Sequence, residues 1–172
     1  MPAPCRQLRA FVLAAALAAG IATAAAAAAH GNLSTHVDGT VTSGAGDFDG
    51  SLVVSSFELR DGKLVALGSL DGSITGADKK TIELADRDVV MVVDRAALSS
   101  TCDRAKVRLQ GMEVADGATR VKLEPVELEI AAKAAPGAGL HDSLCELTRL
   151  LGTSAGDDVL GKQLGLVLGA LE

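Results

Sequence analysis

Aromatic side chains are nearly absent from this sequence of 172 residues, which has no tryptophan, no tyrosine and only three phenylalanines. Phe11 lies in the apolar N-terminal stretch, so Phe48 and Phe57 are the aromatic side chains left for a folded domain. The core of that domain must therefore be aliphatic. Carbohydrate clefts commonly stack sugars on aromatic rings, and interface hot spots favour tryptophan and tyrosine, so both kinds of site lack their usual side chains here.

Basic residues are in the minority. The chain has 16 lysines and arginines against 22 aspartates and glutamates, which gives a net charge of −6, and every acidic residue follows residue 30. This balance repels a phosphate backbone, whereas nucleic-acid-binding domains need a basic surface and, for single strands, aromatic platforms. We therefore expect no nucleic acid among the partners of this protein.

Residues 1–29 have the order of charge and hydropathy that is typical of a secretory signal peptide. A short basic stretch ends at Arg9, and an Ala-rich apolar run follows it. Small residues precede a signal-peptide cleavage site, and several A-x-A frames end between Ala25 and Ala29. We predict cleavage and export to the periplasm or the exterior. An uncleaved membrane anchor is the alternative, because the run is about long enough to span a bilayer.

Three cysteines occur in the chain. Cys5 precedes the apolar run, whereas the lipidated cysteine of a bacterial lipoprotein follows it, so Cys5 is expected to leave with the signal peptide. Cys102 and Cys145 remain, an even number in a chain predicted to be exported, and we predict that they form a disulfide. In the chain-entropy model this bond stabilises the fold by about 3–4 kcal/mol. A metal pair or a catalytic thiol is the alternative, but we find no CxxC or Cys–His spacing that favours either.

The remaining sequence has the periodicity of antiparallel strands. Residues 30–46 are rich in Gly, Ser and Thr and predict a flexible segment or a short first strand. A β-rich domain is predicted over residues 47–152. Its apolar positions change phase between Val54 and Phe57, which predicts a β-bulge. The predicted fold is mainly β, an antiparallel meander or sandwich-like sheet with one or two short C-terminal helices packed on it.

Turn residues divide the predicted sheet into strands. Turns are predicted at residues 60–63, 71–72 and 116–117, each of which contains an Asp-Gly pair. The continuous apolar run over residues 89–93 predicts a central strand buried on both faces. Pro125 interrupts an alternating stretch and predicts an edge position or a bulge.

A helix is predicted after the last strand. Ser143 and Glu146 have the spacing of a capping box, so the helix should begin at Ser143, continue to Leu151 and stop at Gly152. Cys145 lies on this helix. The predicted disulfide would therefore pin the helix to the strand that follows Cys102.

Residues 153–172 predict an apolar C-terminal helix in which glycine recurs at every fourth position. Such a line of glycines permits close helix packing, but the apolar stretch of about 13 residues is too short to span a membrane. We thus expect no transmembrane helix after cleavage. The helix should pack on its own sheet, on a partner chain or on a membrane surface. The predicted interaction surface consists of Gly161, Leu164, Gly165, Leu168 and Gly169.

The stretch from Cys102 to Gly152, CDRAKVRLQGMEVADGATRVKLEPVELEIAAKAAPGAGLHDSLCELTRLLG, resembles a pattern in small uncharacterised exported bacterial proteins. In that pattern a cysteine, two alternating strands and a Pro/Gly break precede a leucine-rich helix with the second cysteine. The upstream FDGSLVVSSFELRDGKLVALGSLDGSITG is similar to their opening strands, so the likeness covers most of the chain after residue 29. The resemblance implies the fold and no activity. Asp116 and Gly117 depart from it, because the link between the two central strands is usually apolar.

An acidic stretch has part of the spacing of a calcium-binding loop. Asp47, Asp49, Ser51 and Glu58 occupy positions one, three, five and twelve of such a loop. Position six is Leu52 instead of the required glycine. A solvated turn before a strand is therefore the favoured interpretation.

Cleavage after Ala29 would make His30 the new N-terminus. Its amine and imidazole, together with His36, could then chelate copper in a motif that resembles the start of histidine-brace copper proteins. A third ligand would have to come from His141. The favoured alternative is a disordered N-terminus that holds no metal.

Hydrolase chemistry has weak support in the sequence. Ser99, Ser100 and Ser143 are candidate nucleophiles with His141 near the last of them, but no GxSxG motif is present and no catalytic residue is assigned. We therefore predict an exported, non-enzymatic domain without a cofactor, which binds a partner protein, an envelope or lipid component or an apolar ligand. The alternatives are a copper-binding protein that uses His30 and an unrecognised hydrolase.

Overall fold

The computed structural model describes residues 32–134 and 138–171 of the chain. The predicted signal peptide over residues 1–29 and the candidate copper ligand His30 lie outside the described residues. The fold is mainly β with two helices at its C-terminal end, as the sequence predicts. The elements in chain order are β1 (Leu33–Val41), β2 (Gly46–Arg60), β3 (Lys63–Gly76), β4 (Thr81–Val92), β5 (Ser99–Thr101), β6 (Arg104–Leu109), β7 (Glu113–Asp116), β8 (Thr119–Leu123), β9 (Val126–Ala131), α1 (Ala138–Leu151) and α2 (Asp157–Gly169).

The strands form two antiparallel sheets. One has six strands in the order β4, β3, β2, β1, β8 and β7, and the other has three in the order β5, β6 and β9. A long hairpin links the two sheets, because the register that pairs Leu109 with Val126 continues to the pair Glu113 and Lys122. Pro125 has no N–H to donate and lies between β8 and β9, directly before β9, which is an edge strand of the smaller sheet. This fits the predicted edge position and not the predicted bulge, because the register is the same on both sides of Pro125.

The combined sheet is nearly closed on itself. Val93, directly after β4, pairs with Leu109 at the end of β6, and the N–H of Gln110 donates to the carbonyl of Val92 at 2.8 Å. Beyond this bridge, β4 is not paired with β7, the strand that follows β6. β4 and β7 are the two edges of the six-stranded sheet in the described part of the chain. We call the gap between β4 and β7 the slit.

Segment 30–46, predicted to be flexible or to hold a short first strand, contains β1. This strand pairs with β2 along most of its length and with β8 through its last residues. The flexible alternative does not hold there, and the β-rich region begins upstream of the predicted boundary at Asp47. The apolar signal of β1 is weak because its buried positions are taken by Val37 and Gly39.

Two local predictions are confirmed within β2 and β3. The turn between these strands has Asp61 and Gly62 in the left-handed region, with φ of 50° and 73°, as a two-residue hairpin requires. The register of β2 against β3 shifts between Val54 and Ser56, where the phase change predicts a bulge.

Two other strand predictions are wrong. Residues 71–72 form no turn, because β3 is continuous through them and its register with β4 shifts there instead. The run over residues 89–93 is not a central strand buried on both faces, since β4 is a sheet edge and the Val90 side chain is 39% exposed. β-branched residues favour strands buried on one face as well, so their density does not distinguish the two cases.

The helices cover the end of the sheet at which β2 turns into β3. α2 packs against β2 and β3, and α1 packs against α2 and β5. α1 begins at Ala138, so its predicted start at Ser143 is wrong. Ser143 lies within the helix, and its carbonyl accepts a hydrogen bond from Nε2 of Gln163 in α2 at 2.8 Å. Within the described ranges no helix is long and apolar enough to cross a membrane.

The core is aliphatic apart from Phe48 and Phe57, as the composition requires. The Phe48 ring lies beside two glycines of neighbouring strands, Gly50 and Gly72, and leaves no room for a Cβ atom at either position. Both sheets and both helices contribute to one buried cluster. Its largest fully buried side chains include Leu52, Leu70, Met91, Leu109, Leu123, Leu128, Leu140, Leu144 and Leu147.

Candidate functional site

The predicted C-terminal interaction surface is divided by the packing of α2. Leu164 and Leu168 are fully buried in the chain's own core and are unavailable to a partner. Gly161 permits a close approach, because a Cβ atom there would lie 3.0 Å from Leu64 Cδ1. Gly165 and Gly169 have open space where a Cβ atom would lie. The helix therefore packs on its own sheet, which was one of the predicted alternatives.

Cys102 and Cys145 lie at disulfide distance, with their Sγ atoms 2.06 Å apart. Cys102 is in the turn between β5 and β6, and Cys145 is on α1, so the pair joins the helix to the smaller sheet. A hydrogen bond supports the same contact, because the Ser100 hydroxyl donates to the carbonyl of Leu144 at 3.3 Å. Both cysteine residues are half-buried.

His141 lies beside this pair, which the sequence analysis missed. Its Nε2 is 3.7 Å from Sγ of Cys145, and its Nδ1 is 3.5 Å from Oδ1 of Asp103. His141 and Cys145 are four residues apart on α1 and share one face of the helix. That spacing was visible in the sequence, whereas the approach of Asp103 depends on how Cys102 is placed.

The serines predicted as candidate nucleophiles do not lie with the histidine. The Ser100 hydroxyl bonds to Leu144 and accepts from Thr148 Oγ1 at 3.1 Å, and the Ser143 carbonyl bonds to Gln163. In the part of the chain that the structure describes, no serine hydroxyl is hydrogen-bonded to His141. Among the described residues, His141 is therefore not placed as the general base of Ser100 or Ser143.

His36 belongs to a separate cluster on the outer face of β1 and β2. Its Nε2 lies 3.0 Å from Asp38 and 3.7 Å from Asp49, and all three side chains are exposed. His141 is not in this cluster, so the predicted three-histidine copper site is not assembled from His36 and His141.

The predicted calcium-loop residues are spread along one strand. Asp47 and Glu58 are both in β2, about 35 Å apart at the usual rise per residue of a strand, so they cannot surround one ion. Asp49 and Ser51 lie between them on the outer face of the sheet. The calcium-loop interpretation is wrong, and so is the alternative of a turn before the strand.

The end of the sheet away from the helices is open. We call this opening the mouth; it has a volume of about 450 Å³ and adjoins the start of β4 at one end of the slit. Ile74 and Ile82 pair across β3 and β4 on the inner face of the sheet, yet the Ile82 side chain is 52% exposed. Val41 completes the apolar wall. The rim is formed by Ser43, Gly44, Ala45, Gly76, Asp78, Lys80, Thr81 and Thr119.

A second depression lies on the outer face of β2, β3 and β4, with a volume of about 590 Å³. Its floor contains Val53 and Leu67, and Val90 lies opposite Leu67. Polar groups form much of its wall, including Arg60 and Asp88. This outer groove is larger than the mouth, but its aliphatic residues face outward from the core, whereas those of the mouth continue the core to the surface.

Comparison of the chain with protein-family models, with curated proteins and with solved structures gives no match. The geometry offers three places for chemistry or binding: the cluster at Cys145, the exposed cluster at His36 and the apolar mouth. Among the depressions found in the described residues, both the outer groove and the mouth combine aliphatic and polar side chains, but the aliphatic wall of the mouth continues the core to the surface. That combination is typical of a site for a small apolar or amphipathic molecule.

Proposed function

We propose that this protein is an exported, non-enzymatic domain that binds an apolar small molecule at the mouth. The observation that carries the proposal is the exposure of Ile82, whose side chain faces the inside of the sheet but is 52% accessible to solvent. An inward-facing aliphatic side chain is normally covered by the core. At the mouth, a ligand would supply the missing cover.

The size and chemistry of the mouth support a ligand of this kind. A volume of about 450 Å³ lies within the usual range for small-molecule sites. Burying a fully exposed aliphatic side chain is worth roughly 1.5–3 kcal/mol, and about half of the Ile82 surface remains for a ligand to cover. Val41 adds further apolar surface. Lys80 and Asp78 on the rim are 3.4 Å apart and would face the polar end of a ligand or water.

An apolar small molecule is favoured over a protein partner on the C-terminal helix. Leu164 and Leu168, the large side chains of the predicted helix surface, already pack on the chain's own sheet. Leu166 and Val159 are the large aliphatic side chains of α2 that remain exposed, with 62% and 39% of their surfaces accessible to solvent. A few exposed aliphatic side chains are common on protein surfaces and do not by themselves define a site.

Binding of a neutral apolar dye, N-phenyl-1-naphthylamine, tests the proposal. We expect saturable fluorescence enhancement with the native chain and roughly ten- to hundredfold weaker binding with Ile82→Asp, which places a charge on the apolar wall. Leu166→Asp is the matched control, because it places the same charge on an exposed leucine at the other end of the molecule. Equal dye affinity in both variants and the native chain would remove the mouth as the site.

Export is supported by the predicted signal peptide and by the cysteine pair at disulfide distance. Mass spectrometry of the protein recovered from its natural host tests this part separately. We expect a chain that lacks residues 1–29 and is lighter than the reduced chain by the mass of two hydrogen atoms. Recovery of the uncleaved chain would contradict export by signal-peptide cleavage, whatever the result at the mouth.

A further inference from the structure

Four side chains with metal-binding chemistry meet where α1 contacts the smaller sheet. Cys102 and Asp103 occupy the turn that leads into β6, and His141 and Cys145 are one helical turn apart on α1. A ring nitrogen of His141 and both Sγ atoms lie within 4.8 Å of one another, and Nε2 is 3.7 Å from Sγ of Cys145. Three ligand atoms this close can bind a single ion after modest side-chain movement.

The orientation of His141 is the second observation. Its Nδ1 lies 3.5 Å from Asp103 Oδ1, and its Nε2 faces Sγ of Cys145 at 3.7 Å. A carboxylate at Nδ1 favours the tautomer that carries the proton there and leaves the Nε2 lone pair free. Metal-bound histidines commonly have this carboxylate partner on the second nitrogen.

We propose that the reduced form of this protein binds one Zn²⁺ ion through Cys102, His141 and Cys145, with Asp103 orienting the imidazole. Two thiolates and one imidazole are ligands that Zn²⁺ prefers, and a fourth position remains open to solvent because His141 is exposed. The same two sulfurs make either the disulfide or the zinc site. The two states therefore exclude each other.

The conversion balances with a dithiol protein as reductant. The dithiol transfers two electrons and two protons to the bond between Cys102 and Cys145 and becomes a disulfide itself, which leaves two thiols on this chain. Zn²⁺ then displaces the two thiol protons and binds the two thiolates. In the reverse direction the disulfide form of the dithiol protein accepts two electrons from the two thiolates and two protons from water, which re-forms the bond between Cys102 and Cys145 and releases the ion.

Equilibrium binding of Zn²⁺ to the full chain, with and without a phosphine reductant, tests the proposal. We expect one Zn²⁺ per reduced chain and none per oxidised chain. Asp103→Asn should weaken zinc binding by about 10- to 100-fold. Loss of the carboxylate that accepts a hydrogen bond from the other ring nitrogen of a metal-binding histidine has an effect of this size in other metal sites. His36→Ala is the control, because it removes an exposed histidine from a different cluster, and it should leave the zinc affinity unchanged.

Cobalt substitution gives an independent readout of the ligands. The reduced native chain should give the thiolate-to-cobalt charge-transfer band and the intense visible bands of a tetrahedral site, and His141→Ala should lose the tetrahedral spectrum while both thiols remain. The proposal is overturned if reduced His141→Ala binds Zn²⁺ as tightly as the native chain. It is also overturned if the reduced chain loses its β-sheet circular dichroism and Zn²⁺ does not restore it. Neither result depends on ligand binding at the mouth.

Discussion

Arg87 on β4 donates a hydrogen bond to Asp116 on β7 across the slit. The two residues lie on opposite edges of the six-stranded sheet. In the described part of the chain, no backbone ladder joins these two edges. Their ion pair is half-exposed and supplies a side-chain link where backbone pairing is lacking. It therefore holds β4 beside β7 at a point between the bridge at Val93 and the mouth.

Replacing Arg87 with methionine should loosen β4 without unfolding the domain. An exposed ion pair contributes about 1 kcal/mol or less to the free energy of unfolding, so the variant should remain folded. Hydrogen exchange should accelerate in peptides from β4 and stay unchanged in β2. Arg104→Met is the control, since Arg104 pairs with Glu129 across strands that a ladder already joins. Equal exchange in β4 for both variants would contradict the role assigned to Arg87.

Gly72→Ala should destabilise the sheet. A Cβ atom at Gly72 would lie 2.5 Å from the carbonyl oxygen of Asp49 and 2.7 Å from Cζ of Phe48, so the backbone or the buried ring must shift. Overpacking of this kind costs about 1–3 kcal/mol, measurable as a lower denaturant midpoint. Gly165→Ala, with open space at its Cβ position, should instead stabilise α2 by up to about 1 kcal/mol. Stability changes of the same sign for both substitutions would contradict the close contacts at Gly72 and the open space at Gly165.

Leu164→Ala should test whether α2 packs on its own sheet. The Leu164 side chain is fully buried, and truncating it should lower the free energy of unfolding by about 2–5 kcal/mol. Leu166→Ala, two residues further along the same helix, removes an equal number of atoms from an exposed position. Its effect should stay within about 0.5 kcal/mol. Similar losses at both positions would mean that the helix is rotated relative to its described packing.

The outer face of the long hairpin should make a pH-dependent contribution to stability. Lys106 donates to Glu127 at 2.8 Å, and this hydrogen bond raises the pKa of Lys106 above 10.5 and lowers the pKa of Glu127 below 4.5. Because the pKa of Glu127 is lower in the folded state, the ionised carboxylate stabilises the folded state above pH 4.5. This contribution is lost as the pH falls through the pKa of the folded state. Because the pKa of Lys106 is higher in the folded state, the charged ammonium group stabilises the folded state below pH 10.5. This contribution is lost as the pH rises through the pKa of the folded state.

The melting temperature of Glu127→Gln relative to the native chain measures this contribution. The difference should be constant near neutral pH and shrink as the carboxyl group titrates in acid. In a Lys106→Gln background the same substitution should show much less pH dependence, because the hydrogen-bond partner is gone. A difference that persists unchanged through acid titration would rule out the pair as its source.

The predictable parts of this fold are those encoded within a few neighbouring residues. The Asp61–Gly62 turn and the bulge after Val54 were readable because turn chemistry and apolar phase are local signals. The exposed edge at Val90 was not, because a β-branched run has the same composition whether one or both faces are covered. Its environment depends on which strand lies beside β4.

The candidate sites depend on contacts between distant segments. The mouth forms because Ile82 and Val41, which are far apart in the chain, line the same opening. The local sequence around either residue does not predict that they lie close together. The four-residue spacing of His141 and Cys145 could have indicated a shared helix face. The third ligand and the position of Asp103 required the placement of the turn after β5.

Isoleucine-methyl NMR tests ligand binding at the mouth most directly, because the described residues contain three isoleucines, Ile74, Ile82 and Ile130. Two of them line the mouth, and Ile130 is buried in β9 as an internal reference. On titration with the naphthylamine dye, we expect saturable shifts of the Ile74 and Ile82 methyl signals and a stationary Ile130 signal. Dye binding that leaves the signals of Ile74 and Ile82 unmoved would contradict the account.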